Sequence, residues 1–205
     1  MRLFYSPNAC SMAIHIILEE IGKPYELALV NFAQAAQYKP EYLAVNPKSK
    51  VPALQRDDGS VLTELPAIAW YLAKTNPQAK LLPDDIEGEA RVLELLEYIT
   101  ATVHMRGYTR IFRTASFTPN PADEPKVMET GRTMVMQGMQ ILEPVLADKD
   151  YLLGTYSIAD CGFFYIVYWA SRRANIPLSP VLQAYLDRLL TRPAVARMLA
   201  AEGLR

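Results

Sequence analysis

Cys10 is the residue whose type and position are best suited to chemistry. It follows a short apolar stretch and a Pro-Asn turn, and it falls in the first turn of the next predicted helix. Unpaired N–H groups and the helix dipole favour a thiolate there, whether the protein's own or a ligand's, and Ser11 adds a hydroxyl donor. An inert, packed cysteine is the alternative, because free cysteines are among the most buried residues. The chain has no Cys-x-x-Cys motif, so dithiol redox chemistry is not expected.

Val51 and Pro52 form a second feature, at the start of a predicted strand. Proline is tolerated in a sheet at the first residue of a strand or on an edge. If the bond before Pro52 is cis, the backbone of Val51 turns outward and can pair with an extended peptide ligand. Trans is the default, so the dipeptide alone is weak evidence for a site.

Glu64 stands at a strand-to-helix turn, ahead of Leu65 and Pro66. It can be a plain helix cap. It can also bind a ligand ammonium, while the free N–H of Leu65 at the helix start holds the carboxylate of the same amino acid. A γ-glutamyl group carries both charges on one carbon. A thiol site, a peptide-pairing strand and an amino-acid clamp together match γ-glutamyl-cysteinyl-glycine, which is glutathione.

The elements that must position these residues divide the chain in two. The first part predicts a mixed α/β domain over residues 1–77, with a hairpin turn at Asp58-Gly59, where both central positions favour positive φ. A linker over residues 78–86 and a wholly helical domain over 87–205 follow. The helical part predicts a long helix from Glu87 to about Phe112, another over Lys126 to Leu146, and a central helix capped by Ser157 and Asp160.

Composition narrows the classes of function. The chain has 205 residues, of which 51% are hydrophobic and 21% charged, so it can bury a core and is not expected to be disordered. The formal net charge of −1 gives no reason to expect a nucleic-acid partner. No apolar run reaches the roughly 20 residues that a membrane span needs. The start has no export signal and there are only two cysteines, Cys10 and Cys161, so we expect free thiols and a cytoplasmic location.

The order of these motifs resembles the beta class of bacterial glutathione transferases. The resemblance runs from Met1 to Leu204. It rests on these segments: Ser6-Pro7-Asn8-Ala9-Cys10-Ser11, Asn46-Pro47-Lys48, Val51-Pro52-Ala53-Leu54, Thr63-Glu64-Leu65-Pro66-Ala67-Ile68 and Ser157-Ile158-Ala159-Asp160. It implies a thioredoxin-like N-terminal domain followed by an all-helical C-terminal domain, a homodimer, and glutathione as co-substrate with no metal.

The resemblance also implies roles for individual residues. Cys10 is the residue nearest the glutathione sulfur, with Ser11 beside it, and His104 reaches in from the long helix. A lone histidine on a helix is more often structural or solvated. Tyr5 stands where other transferase classes place a thiol-activating tyrosine, a role that the beta class does not give it. The residues expected to bind glutathione are Tyr5, Val51, Pro52, Glu64 and Leu65.

Three departures from the family pattern concern glutathione affinity. Leu65 replaces a small or hydroxyl residue, so a side-chain donor is lost although the backbone N–H remains. Ala35 and Met105 stand in place of lysines common in the family. A hydrogen bond to a charged group contributes about 1.5–3 kcal/mol, so these changes are expected to lower affinity and weaken the steering of a peptide anion.

The expected reaction is conjugation of glutathione to small hydrophobic electrophiles, in the service of detoxification. We expect the electrophile pocket to be lined by Tyr108, Ile111 and Phe112. A thiol-transferase activity through a mixed disulfide at Cys10 stays open, as does a non-catalytic binding or regulatory protein of the same fold. Three arginines share one face of the long helix and are interpreted as a solvated stripe rather than an anion site: Arg106, Arg110 and Arg113.

Overall fold

A four-stranded mixed sheet forms the N-terminal part of the computed structural model, which describes residues 1–204. The strands are β1 (Arg2–Tyr5), β2 (Glu26–Leu29), β3 (Ala53–Gln55) and β4 (Val61–Thr63), in the order β2-β1-β3-β4. β1 pairs with β2 in parallel and with β3 antiparallel, and Leu3 stands opposite Leu27 and Leu54. The hairpin between β3 and β4 is confirmed, but the predicted turn geometry is wrong in part: Gly59 has φ +83°, whereas Asp58 does not have positive φ. The Arg56 N–H donates to the Ser60 carbonyl, so the loop is longer than the two predicted residues.

Three helices belong to this part: α1 (Met12–Ile21), α2 (Pro40–Leu43) and α3 (Leu65–Thr75). The first seven residues of α1 are buried, as the dense apolar pattern predicts. α1 ends at Gly22, whose φ of +70° suits a residue without a side chain and whose N–H donates to the Leu18 carbonyl. The predicted thioredoxin-like domain is confirmed.

The rest of the described chain is helical apart from one isolated bridge between Leu153 and Thr155. Its principal helices are α4 (Ile86–Glu97), α5 (Thr109–Phe112), α6 (Glu124–Leu142), α7 (Ile158–Arg172), α8 (Pro180–Leu190) and α9 (Pro193–Ala201). A π-helix over Tyr98–Tyr108 joins α4 to α5, so the predicted long helix is continuous but changes from α- to π-helical geometry in its middle. The predicted helix ending at Leu146 closes as a 3₁₀ turn over Glu143–Leu146.

α7 is the central helix, and every residue from Ile158 to Ala170 is buried. The predicted capping box is present: the Ser157 side chain accepts the Ala159 N–H, and the Asp160 carboxylate accepts the Ser157 N–H at 2.9 Å. The same carboxylate also accepts the Leu152 N–H at 2.9 Å and the Tyr185 hydroxyl at 2.8 Å. Asp160 therefore ties the start of α7 to the preceding loop and to α8.

One apolar core runs through both parts of the chain. It joins residues of β1, α1 and α3 to residues of α4, α7, α8 and α9. The predicted linker takes part, because Leu81 is buried and its carbonyl accepts the Ile158 N–H at 3.0 Å. The structure therefore packs the two predicted domains on a shared core, and their exact limits stay a prediction.

Candidate functional site

The loop over residues 6–11, which carries Cys10, is held in place by the far end of the chain. The Asn8 N–H donates to the Glu202 carboxylate at 3.0 Å, and the Arg173 guanidinium donates to the Asn8 carbonyl at 3.1 Å. Glu202 is itself fixed by a buried contact of 2.9 Å between its Oε1 and Nδ1 of His15. Residues more than 160 positions away thus set the position of the loop.

Cys10 lies half-buried just before α1, and its thiol donates to the Val51 carbonyl at 3.4 Å. Burial raises the pKa of the Cys10 thiol to about 12, although nearby backbone N–H groups and the positive charge of Lys50 lower it in part. The helix start therefore does not hold Cys10 itself as a thiolate, and the alternative, a ligand's thiolate, stays a prediction. Desolvation of the anion outweighs the favourable charges, and the protonated thiol can serve as a donor.

The Ser11 hydroxyl is not free to donate to a thiol or thiolate at Cys10. The Ser11 side chain is fully buried, its hydroxyl donates to the Ser6 carbonyl at 3.2 Å, and its oxygen accepts the Ser6 N–H at 3.3 Å. Both roles of the hydroxyl are taken by the loop backbone. The predicted catalytic part of Ser11 is corrected to a structural one, closing the turn ahead of Cys10.

The bond between Val51 and Pro52 is cis, the condition set for a peptide-pairing strand. The Val51 N–H has no hydrogen-bond partner within residues 1–204. The turn before it is fixed at the Lys50 carbonyl, which accepts the Tyr42 hydroxyl at 2.6 Å and the Asn46 amide at 2.7 Å. The backbone of Val51 thus offers an open donor beside the Cys10 thiol.

Glu64 adopts an unusual backbone conformation, with φ at +70° and ψ at 123° just before α3. A side-chain-bearing residue held in such a region costs on the order of 1–3 kcal/mol, and residues of this kind cluster at binding sites. Its carboxylate is exposed and pairs with the Lys48 ammonium at 2.6 Å. The Leu65 N–H lies at the start of α3 without a partner in the described chain. The acid and the free N–H are adjacent, as an amino-acid clamp requires.

His104 lies half-buried in the π-helix, against two residues of α7. Its Nδ1 is 3.3 Å from the Tyr165 hydroxyl, and its ring meets the Trp169 ring edge-on with centroids 5.1 Å apart. Burial, together with the positive charges of Lys50 and Arg173, lowers the pKa of His104 to about 4. His104 is therefore uncharged at neutral pH. The positive charge of Lys50 thus influences the pKa of both Cys10 and His104.

Three other predicted site residues point elsewhere. Tyr5 is buried with its ring edge-on to His15, and burial and the Glu202 carboxylate raise its pKa, so it faces the anchor of the C-terminal segment. Tyr108 is wholly buried and donates to the Ile166 carbonyl at 2.6 Å. Ile111 belongs to the core. The expected pocket lining by Tyr108 and Ile111 is corrected to core packing.

Phe112 is the one predicted pocket residue that stays partly accessible. Four further residues, which the sequence did not predict for the site, lie near Phe112 or near Cys10. The Phe112 ring packs on Trp169 and under the Arg173 guanidinium, which is 3.9 Å from the ring centroid. The four additional residues are Lys50, Tyr165, Trp169 and Arg173. Lys50 could have been noticed as the neighbour of Val51. Sequence spacing gives no signal for the three on α7 and at its end.

The three arginines of the long helix do not form a plain solvated stripe. Arg110 lies over the Phe117 ring, 4.5 Å from its centroid, and donates to the Arg106 carbonyl. Arg113 donates to the Tyr38 hydroxyl at 3.1 Å, and so links the end of α5 to the loop that follows β2. This arginine therefore joins the two parts of the chain.

Within residues 1–204 the structure brings together no group of three or more histidine, cysteine, aspartate or glutamate side chains suited to a metal ion. No helix in that range has the length and apolar character needed to cross a membrane.

Comparison with known proteins places the chain among glutathione transferases. Residues 9–75 match the model of the glutathione S-transferase N-terminal domain. The chain is 37% identical to glutathione S-transferase GstA of Escherichia coli O157:H7 over the full length of both proteins. It is 26% identical to the disulfide-bond oxidoreductase YfcG of Escherichia coli K12, across 96% of this chain and 93% of that protein.

Two solved structures share the architecture over the whole chain. A glutathione transferase homologue from Sulfitobacter with bound glutathione superposes with a TM-score of 0.90 at 27% identity, covering 100% of this chain and 98% of the other. A beta-class glutathione S-transferase from Sphingomonas chungbukensis superposes with a TM-score of 0.84 at 33% identity, covering 100% of both.

Proposed function

Because the chain belongs to the glutathione S-transferase family, we propose that it is a beta-class enzyme that joins the sulfur of glutathione to small hydrophobic electrophiles. The observation that supports this most is a row of polar groups in the N-terminal domain, of which the Val51 N–H and the Leu65 N–H have no partner in the described residues. The Glu64 carboxylate, the Leu65 N–H, the Val51 N–H and the Cys10 thiol follow the order of the groups in the tripeptide.

The γ-glutamyl end binds at the start of α3. Glu64 accepts the ligand ammonium, and the Leu65 N–H donates to the ligand carboxylate at the positive end of the helix. Lys48 holds the Glu64 side chain in place through its contacts with that carboxylate and with Thr63 Oγ1. Because Leu65 has no side-chain hydroxyl, binding of the γ-glutamyl end depends on the Leu65 N–H and on the charge of Glu64.

The cysteinyl residue pairs with the backbone of Val51. The free Val51 N–H donates to its carbonyl, and the Val51 carbonyl accepts its N–H, as a short antiparallel ladder would. In the unliganded chain that carbonyl accepts the Cys10 thiol. When the ligand N–H occupies this acceptor, the Cys10 thiol is free to donate to the glutathione sulfur. That hydrogen bond stabilises the glutathione thiolate and lowers the pKa of the glutathione thiol.

Lys50 supplies a cation for the glycyl end. Its ammonium forms no ion pair with the described residues, and its charge acts on Cys10 and His104. A ligand anchored at Glu64 and Val51 places its terminal carboxylate on the Lys50 side of the cleft. This single cation offsets the absence of lysines at Ala35 and Met105, and it also favours the thiolate.

Transfer of the glutathione sulfur to the electrophile requires no change of oxidation state. The glutathione thiol releases its proton to water, and the thiolate forms a bond to the electrophilic carbon while the leaving group departs with its electron pair. His104 is uncharged, and its Nε2 has no partner in the described chain. If Tyr165 donates to Nδ1, the histidine proton lies on Nε2 and can be donated into the cleft. His104 therefore orients groups rather than taking up the thiol proton.

Calorimetric titration with glutathione, followed by initial rates with 1-chloro-2,4-dinitrobenzene, tests this function. We expect saturable binding to one site per chain and glutathione-dependent release of chloride. Well-folded protein that gives no saturable binding contradicts the proposal. Binding without turnover on a broad panel of electrophiles contradicts the transfer step alone.

A thiol-transferase activity is the second candidate, favoured by the likeness to the disulfide-bond oxidoreductase YfcG. Here the Cys10 thiolate attacks glutathione disulfide, forms a mixed disulfide and releases one glutathione thiolate. The raised pKa of Cys10 lowers the fraction of thiolate available for this attack. Replacing Cys10 with Ala separates the two: loss of disulfide exchange with unchanged conjugation identifies Cys10 as a redox residue. If both activities persist at wild-type rates, the catalytic part given to Cys10 is wrong.

The resemblance also supports a homodimer that works in the cytoplasm in detoxification. Light scattering on the purified chain tests the assembly, and a mass of one chain at micromolar concentration contradicts the homodimer.

A further inference from the structure

Arg173 is an exposed residue with an unusual set of neighbours. It follows the last residue of α7, and its guanidinium lies 3.9 Å from the Phe112 ring centroid and 5.3 Å from that of Trp169. One of its N–H groups donates to the Asn8 carbonyl. Two aromatic rings and a backbone carbonyl thus orient this cation, since guanidinium groups stack on aromatic faces.

Arg173 has no acidic partner in the described part of the chain. Several other arginines are paired with carboxylates, including Arg188 with Asp150 and Arg192 with Glu20. A guanidinium carries five N–H donors, and the contact with Asn8 uses one of them. A planar, fixed fork with free donors matches the geometry of a carboxylate, which it binds through two parallel hydrogen bonds.

Trp169, whose ring lies beside the Arg173 guanidinium, carries an unsatisfied polar group. The indole is almost fully buried, yet its Nε1 has no hydrogen-bond partner in the described residues. Buried indole N–H groups usually find a partner. Its ring packs on both His104 and Phe112, and the Arg173 guanidinium lies over the Phe112 ring, so these aromatic rings form one wall beside Arg173.

This wall lies close to the expected position of the glutathione sulfur. Arg173 contacts the Asn8 carbonyl at 3.1 Å, and Asn8 is two residues from Cys10. Two residues span at most about 7 Å. A molecule the size of a substituted benzene ring can therefore contact Arg173 at one end and reach the thiol end of the cleft with the other.

We propose that the second substrate is a planar electrophile carrying a carboxylate, which binds the free N–H groups of Arg173 while the reacting carbon faces the glutathione sulfur near Cys10 and His104. This inference rests on the proposed transferase function and narrows its substrate class from hydrophobic electrophiles to anionic aromatic or unsaturated ones.

A matched pair of electrophiles tests the proposal: 4-chloro-3,5-dinitrobenzoate and its methyl ester. Each loses chloride as the glutathione sulfur bonds to the same ring carbon. In the wild-type enzyme we expect the carboxylate to have the higher kcat/KM relative to the uncatalysed reaction with glutathione. In Arg173→Gln we expect kcat/KM for the carboxylate to fall about tenfold or more, because charge-assisted bonds are lost, with the ester changed less than about twofold.

The neighbouring Arg172→Gln variant is the matched control. Arg172 is exposed and makes no hydrogen bond or ion pair with the described residues, so its loss should leave both substrates unaffected. If Arg173 serves only to hold the Asn8 loop, Arg173→Gln lowers kcat/KM for carboxylate and ester by the same factor. That result overturns the proposal, as does an equal effect of the two arginine variants.

Binding of an unreactive analogue separates failure of this inference from failure of the transferase function. Calorimetry should show that 3,5-dinitrobenzoate binds the wild-type chain at least about tenfold more tightly than 3,5-dinitrobenzamide, and that Arg173→Gln removes the difference. This result supports the anion site even where no electrophile is turned over. Equal affinity for the two analogues in the wild-type chain contradicts the site even where conjugation is efficient.

Discussion

Replacing Glu64 with Gln is expected to weaken glutathione binding by one to two orders of magnitude. Glutamine keeps the size of the side chain and can occupy the same backbone conformation, but it removes the negative charge that meets the ligand ammonium. The ion pair with Lys48 is also lost. That pair is largely exposed, with 51% and 60% of the two side chains accessible, so its loss should cost less than about 1 kcal/mol of folding free energy.

The magnitude follows from the contact that is lost. A hydrogen bond to a charged group contributes about 1.5–3 kcal/mol. Each 1.36 kcal/mol corresponds to a factor of ten, so the Kd for glutathione should rise about 10- to 150-fold. Since the ammonium is distant from the sulfur, the rate constant for bound glutathione should change much less than the affinity.

Calorimetry on three proteins measures this: the wild type, Glu64→Gln, and Glu87→Gln as the control. Glu87 is also an exposed acid in an ion pair, with Arg91 at 3.0 Å, but it lies at the start of α4. Its replacement should leave the Kd unchanged. The reasoning is refuted if Glu64→Gln binds glutathione within about twofold of the wild type, or if both variants lose the same affinity.

A ligand without the amine sharpens the assignment. Glutaryl-cysteinyl-glycine has the shape of glutathione but no ammonium. If Glu64 binds that group, removing the amine should weaken binding to the wild type and have little further effect in Glu64→Gln, the pattern of a coupled pair in a double-mutant cycle. Additive losses would place the ammonium elsewhere.

Three further outcomes are expected. Burial raises the pKa of Cys10 to about 12, so the rate at which iodoacetamide alkylates Cys10 should keep rising from pH 6 to pH 9. The measurement uses Cys161→Ala protein, in which Cys10 is the one thiol. A plateau below pH 8 would contradict a protonated thiol. His104 should titrate near pH 4 by NMR. Because a histidine in the unfolded chain titrates near 6.5, the stability contributed by the uncharged His104 is fully present above about pH 6.5 and is lost as the pH falls toward 4. A measured pKa above 6 would refute this. Asp160→Ala removes the acceptor of four buried donors, the Leu152 N–H, the Ser157 N–H and hydroxyl, and the Tyr185 hydroxyl. It should lower the free energy of urea unfolding by about 3 kcal/mol or more, against less than about 1 kcal/mol for the exposed Asp150→Ala. Equal losses would show that the Asp160 network contributes little.

Features set by neighbouring residues could be predicted from the sequence. The capping box at Ser157, the glycine that ends α1 and the hairpin at Gly59 each depend on a few adjacent positions. The order of motifs also indicated the fold, whereas the grouping of Cys10, Val51 and Glu64 in one ligand site stays a prediction. The local predictions succeed because local backbone chemistry decides the local structure.

Features that depend on distant packing could not be predicted. Arg173 contacts Asn8 across 165 positions, and no spacing in the sequence signals that approach. The raised pKa of Cys10 reflects how deeply the loop is enclosed, which opposes the helix-start argument. Tyr108 and Ile111 belong to the core because the end of the long helix packs against other helices, as the bond from Tyr108 to the Ile166 carbonyl of α7 shows.

A crystal structure of the chain with glutathione tests the central claim most directly. The account predicts the ligand ammonium at Glu64, the cysteinyl backbone paired with Val51, and the sulfur in contact with the Cys10 thiol, which no longer donates to the Val51 carbonyl. A sulfur that points away from Cys10, or a tripeptide bound outside this row of groups, would contradict it.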